Sequence, residues 1–220
     1  GNGSIILQDE KDIISYKIID NKKEINFDLG LKISKNKFTF DLLNYEKKKK
    51  ALLNLSIKSK QKKKKALLDL SIKGKQNKNG VLLKEILLTE NKNTFSIENL
   101  NLSKDFRIND IEIININFLD KDNFNNNLQI KKDKKRYTVM GSSFNLNKII
   151  SQLLESKVSK KERIFNNNFN LFFDIKKIYL DKMNITQNFK GYLSFNRNEI
   201  RELNLESFFS NNEKIRLTIN

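Results

Sequence analysis

Residues Lys47 to Gln61 read KKKKALLNLSIKSKQ, and residues Lys62 to Gln76 repeat them as KKKKALLDLSIKGKQ, differing only at Asn54/Asp69 and Ser59/Gly74. A period of roughly 15 residues is too short for helical solenoids, whose units exceed about 30 residues, but it fits one strand and one turn. In the first copy Leu53, Leu55 and Ile57 alternate with Asn54, Ser56 and Lys58; in the second, Leu68, Leu70 and Ile72 alternate with Asp69, Ser71 and Lys73. This period of two gives each copy one apolar and one polar face. The lysine runs and Gln61 read as polar connections. The repeat therefore predicts two adjacent antiparallel strands with both aliphatic triplets on one face, in a sheet open enough to accept an extra strand.

The same alternation runs outward in both directions. It recurs at Ile14-Tyr16-Ile18, Ile25-Phe27-Leu29, Phe38-Phe40-Leu42, Phe95-Ile97 and Ile111-Ile113. Further on come Phe169-Leu171-Phe173-Ile175, Leu193-Phe195, Leu203-Leu205 and Ile215-Leu217-Ile219. Turn residues separate these runs: Asp20-Asn21, Asn79-Gly80, Asn91 to Asn93, Asp120 to Asn123 and Asn211-Asn212. The predicted fold class is all-β: an elongated, curled antiparallel β-sheet of repeated strands, forming an open groove, with one short amphipathic helix. That helix is read from Asn145 to Glu155, where Leu146, Ile149, Ile150, Leu153 and Leu154 fall on one face. Ser143 or Asn145 is its N-cap candidate, and Gly141 reads as a turn glycine ending the preceding strand.

Composition narrows the function classes. The net charge is +17, from 43 Lys and Arg against 26 Asp and Glu. Lys, Asn, Ile and Phe all have AT-rich codons, so base composition accounts for much of the lysine. Arg, the better bidentate reader of phosphate and guanine, is scarce, and nucleic acid is not the expected partner. His and Cys are absent, which removes the commonest general base, thiol nucleophiles and thiolate zinc sites. Asp120-Lys121-Asp122 begins like a calcium loop, but Phe124 and Asn125 stand where a ligand and the turn glycine belong, so it reads as a solvated turn. Glu199 and Glu202 lie among Asn and Arg, with no apolar setting to raise a carboxyl pKa. No catalytic, cofactor-binding or metal residue is assigned, and the expectation is a non-enzyme. No run of about 18 apolar residues could cross a bilayer as a helix. Both ends read as cut, so the expectation is one continuous segment, 1–220, of a longer protein.

The stretch YTVMGSSFNLNKIISQLL, Tyr137 to Leu154, resembles the strand, glycine, Phe-Asp, helix signature of AsmA-like proteins of the diderm bacterial envelope. Asn145 stands where that family usually has Asp, a capping position that Asn also fills. Phe173 to Leu180, Phe189 to Leu193 and Ile200 to Leu205 continue the likeness, which covers residues 105–220; residues 1–104 are a β-meander holding the duplication. The resemblance implies a periplasmic sheet anchored to the inner membrane by a part of the protein outside this sequence, with a hydrophobic groove for phospholipid or another acyl lipid. It implies lipid transport between the inner and outer membranes, or outer-membrane assembly. Candidate groove residues are Leu53, Leu55, Ile57, Leu68, Leu70, Ile72, Ile150, Phe173 and Phe195. From the residues alone these faces could equally pack on each other as the closed core of a structural or adhesive stalk. An outer-membrane barrel fits less well, because an aromatic girdle is missing and lysines stud the polar faces.

Overall fold

The computed structural model describes residues 1–6, 12–20, 24–48, 50–62, 80–103, 106–134, 136–149, 167–196 and 199–219. Its strands are β1 (Asn2–Ile6), β2 (Ile13–Asp20), β3 (Glu24–Ile33), β4 (Thr39–Phe40), β5 (Tyr45–Glu46), β6 (Leu53–Lys62), β7 (Val81–Glu90) and β8 (Asn93–Leu102). They continue as β9 (Ile108–Asp110), β10 (Ile113–Leu119), β11 (Asn125–Asp133), β12 (Arg136–Asn145), β13 (Phe169–Tyr179), β14 (Ile185–Asn196), β15 (Glu199–Phe209) and β16 (Lys214–Ile219). Fourteen of them form one sheet, in the order β1-β2-β3-β6-β7-β8-β10-β11-β12-β13-β14-β15-β16, with β9 beside β8. The sheet is open: β1 and β16 are its two edges and do not pair with each other. The all-β class with an antiparallel sheet read from the sequence is observed, with one parallel pair, β12 and β13, as the exception.

The connection from β12 to β13 differs from the rest. These neighbours run parallel, Val139 opposite Phe173 and Phe144 opposite Ile178. Parallel neighbours need a long return, usually helical, and the chain turns helical at Asn147–Ile149. Asn145 is the cap: its Oδ1 accepts the Asn147 N–H at 3.0 Å. The same buried side chain donates from Nδ2 to Asp120 Oδ2 at 2.6 Å, and its backbone N–H donates to Asn126 Oδ1 at 2.8 Å. An aspartate here would set a second carboxylate against Asp120, so the amide suits this position. Asp120 also accepts the backbone N–H groups of Asp122 and Phe124. The turn expected to be solvated is thus organised around a carboxylate only 2% exposed.

Several sequence readings are corrected by the registers. The first repeat copy does form β6, but β3 lies along one side of it and β7 along the other, Ile57 facing Leu29 and Ile86. Its neighbours are therefore not the second copy, which lies outside the described residues apart from Lys62. β7 shows no alternation in the sequence because Leu82-Leu83 and Leu87-Leu88 are doublets, apolar towards both faces, with a bulge opposite Lys58/Ser59. In β10 the inward residues are Ile114, Ile116 and Phe118 rather than Ile111 and Ile113, since Ile113 pairs with Glu98 and Lys131 on the other face. Gly141 lies inside β12 instead of ending it; a Cβ there would stand 2.2 Å from the Asn127 carbonyl oxygen, beside the Asn127/Leu128 bulge.

Phe38-Phe40-Leu42 is not a strand of the sheet. The segment between Ile33 and Leu53 leaves the sheet as a strap: β4 pairs only with β5 around a 3-10 turn, Asp41–Leu43, closed by Asn44 at φ 52°. Asp12 fastens its start, Oδ1 accepting from the Ser34 and Lys35 N–H groups and Oδ2 from the backbone and side chain of Asn36. Burial pushes the Asp12 carboxyl pKa up, but these donors pull it further down, below its ordinary value of 3.8. A depressed carboxyl contributes stability that is complete above the unfolded-state value and fades as pH falls through the folded one. Thermal unfolding from about pH 5 to about pH 3 should therefore show the wild type losing more stability than Asp12→Asn. Equal losses would count against this fastening.

Candidate functional site

One face of the sheet carries unbroken apolar rows that cross the strands. The first runs Tyr16, Leu29, Ile57, Ile86, Ile97, Ile114, Ile130, Val139, Phe173, Gly191, Leu205 and Leu217, each directly opposite the next. At about 4.8 Å between strands it extends on the order of 50 Å. The second, two residues along each strand, runs Ile14, Leu31, Leu55, Leu88, Phe95, Ile116, Leu128, Gly141, Ile175 and Phe189.

These rows differ in cover. Over the middle strands the strap lies at one side: Tyr45 packs edge-on against Phe118 at 5.4 Å, and Phe40 against Phe95 at 5.9 Å. Leu146 and Ile149, at the start of the helix, pack against the same cluster. Leu53, Leu88, Ile116, Phe118, Leu128, Ile175 and Ile178 are buried there. Glu90 is buried among them without exposure, accepting from Tyr45 Oη at 2.8 Å, the Lys48 N–H at 2.7 Å and Asn93 Nδ2 at 3.0 Å. It pins the strap's far end as Asp12 pins its start.

The first row is only partly covered: Val139 is buried in this cluster and Ile114, Ile130 and Phe173 pack against it. Ile57, Ile86, Ile97, Ile114 and Ile130 are half-buried, and exposure rises towards the edges, to 40% at Tyr16 and 54% at Leu217. A wholly apolar cleft of about 90 Å³ sits over β2, β3 and β6, lined by Ile14, Leu29, Leu31, Leu55 and Ile57. On the side away from the strap the face meets a polar border, where Asp110 accepts from Tyr137 Oη at 2.9 Å and Lys132 Nζ at 2.5 Å. Burial, with the Asp110 carboxylate adjoining, pushes the Tyr137 hydroxyl pKa up to about 12. Among the described residues no three His, Cys, Asp or Glu side chains gather as a metal site.

No protein-family model, curated protein or solved structure matches this chain. The likeness to AsmA-like proteins rests on the residues quoted for it.

The predicted groove residues separate within this geometry. Ile57 and Phe173 lie in the half-buried row, Leu55 in the second row, and Leu53 is sealed beside the strap. Phe195, at the far end of β14, stacks on Phe169 at 4.9 Å. Leu68, Leu70, Ile72 and Ile150 lie outside the described residues. The sequence reading did not single out Ile86, Ile97, Ile114 and Ile130, although they supply the centre of the row. Ile97 belonged to a recognised alternation and could have been found; Ile86 sits among doublets that hide its face.

Proposed function

We propose that the half-buried apolar face binds the acyl chains of phospholipid or another lipid, in a non-catalytic segment of an AsmA-like envelope protein. The supporting observation is the continuous first row, whose length of on the order of 50 Å exceeds the roughly 15 Å depth of one leaflet's hydrocarbon. A sheet face of this extent in water needs apolar cover, and acyl chains provide it without a fixed register. In this reading the parent protein is periplasmic and held to the inner membrane, and it carries lipid towards the outer membrane or serves outer-membrane assembly. Lipidomic mass spectrometry of the longer native protein, purified without detergent exchange, tests the reading: stoichiometric phospholipid is expected. A ligand-free protein of unchanged stability would favour a structural stalk. The sealed cluster around Leu53, Ile116 and Ile178 is the feature that supports that second reading.

A further inference from the structure

The strap leaves the sheet at Ile33 and returns at Leu53, and these two residues stand directly opposite each other on β3 and β6. Its ends therefore meet in a single ladder pair. Its own short strands, β4 and β5, pair only with each other, so the strap can swing about the Ile33–Leu53 pair while the sheet keeps its order. Three separate places on the sheet hold it down. Asp12, just before β2, accepts the N–H groups of Ser34, Lys35 and Asn36 beside the hinge. Glu90, at the end of β7, accepts from Tyr45 Oη and the Lys48 N–H. The β10–β11 turn ties the tip: Asn44 Nδ2 donates to Asp122 Oδ2 at 2.8 Å, and the Lys121 N–H donates to the Asn44 carbonyl at 3.1 Å.

Closure leaves two polar groups poorly served. Glu90 is buried without exposure, and its donors Tyr45 Oη, Lys48 N–H and Asn93 Nδ2 are all uncharged. Asn44 is 5% exposed, and its Oδ1 has no partner among the described residues. A buried carboxylate without a counter-charge and a buried unpaired oxygen both disfavour the closed state, and lifting the strap hydrates them. The packing of Phe40 on Phe95 and Tyr45 on Phe118 opposes this. Segments so balanced open at lower free energy than the strands beneath them.

We propose that residues 34–48 are a hinged lid, which swings off the second apolar row about the Ile33–Leu53 pair and leaves the sheet folded. That row is open over Ile14, Leu31 and Leu55 and covered by the strap at Leu88 and Phe95, so lifting the lid joins the two stretches. The ligand it admits is an acyl chain, an assignment that rests on the lipid reading of the face.

Native-state hydrogen exchange of the 220-residue chain tests the hinge without any ligand. The amides of Lys48 and Lys121 bridge strap and sheet, whereas those of Leu55 and Ile57 belong to β6. Lys48 and Lys121 should exchange about tenfold or more faster than the β6 pair, through an opening that denaturant barely accelerates because it exposes little surface. Asp122→Ala removes the side-chain tie at the tip; it should quicken Lys48 and Lys121 about tenfold again and leave β6 unchanged. One rate and one denaturant dependence for all four amides would overturn the lid. The ligand is tested with a photoreactive phenylalanine in place of Phe95 and vesicles of zwitterionic phosphatidylcholine, which the net charge of +17 does not attract. Asp122→Ala should raise labelling there several-fold, with labelling from a probe at Ile57 unchanged. Labelling at Ile57 without any rise at Phe95 would overturn the lid as an entrance. Labelling at neither would overturn the lipid reading and the ligand assigned to the lid, while the exchange pattern decides the hinge.

Discussion

Glu90→Leu is expected to destabilise the chain by about 3–5 kcal/mol, because it leaves the Tyr45 hydroxyl and the Lys48 N–H without acceptors beneath the strap. Each orphaned donor costs about 1–3 kcal/mol, and losing both ends the strap's attachment beside the buried cluster. Adding Tyr45→Phe should recover part of the loss, since an apolar pair of similar shape is far less costly than one polar group left alone. The strap would also become a protease target, so trypsin should cut at Lys48 and Lys50 faster than in the wild type. Chemical denaturation with limited proteolysis measures both effects. A loss under about 1 kcal/mol, with unchanged cleavage, would mean that packing at Phe40 and Tyr45 holds the strap without Glu90.

Gly191→Ala should be comparably severe for a backbone reason. Gly191 has φ +140°, outside the range L side chains accept, and an added Cβ would stand 1.9 Å from the Asn204 carbonyl oxygen. It lies in β14 between register shifts at Gln187/Lys190 and Ser194/Phe195, so β15 approaches unusually closely there. Strain of this kind costs about 1–3 kcal/mol before any clash, and relief requires β15, with β16 behind it, to move away. Hydrogen exchange should therefore rise along β15 and β16 and leave β2 and β3 unchanged. Gly30→Ala is the control: its Cβ would meet only the Ser15 hydroxyl, a side chain free to rotate. If the two variants behaved alike, the β14–β15 approach would not be the determinant.

The strands with one wet face were legible from sequence. Alternation at Ile14-Tyr16-Ile18, Phe169 to Ile175 and Ile215-Leu217-Ile219 reports a physical period of two, and each became a strand in the expected orientation. Legibility failed where both faces are apolar, as in the leucine doublets of β7, and where adjacent isoleucines left the face ambiguous, as at Ile113-Ile114. The strap was misread for a different reason: Phe38, Phe40 and Tyr45 point across onto the sheet's apolar face, and their spacing imitates a strand. Nor could spacing reveal that Asp12 and Glu90 reach across 22 and 42 residues to backbone N–H groups. The parallel β12–β13 pair departs from the antiparallel reading: parallel neighbours need a long return connection, and alternation within a strand does not report its direction. Of the candidate groove residues, Ile57 and Phe173 lie in the half-buried row, and spacing alone could not rank them against the sealed Leu53.

The most direct test of lipid binding places a photoreactive side chain, one position at a time, at Ile57, Ile114, Leu88 and Gln129 in protein exposed to a radiolabelled phospholipid. Ile57 and Ile114 lie in the half-buried row, Leu88 beneath the strap and Gln129 on the opposite, exposed face. Crosslinks are predicted at Ile57 and Ile114, with little at Leu88 and background labelling at Gln129. Labelling at Ile57 and Ile114 no greater than at Gln129 would contradict the lipid groove.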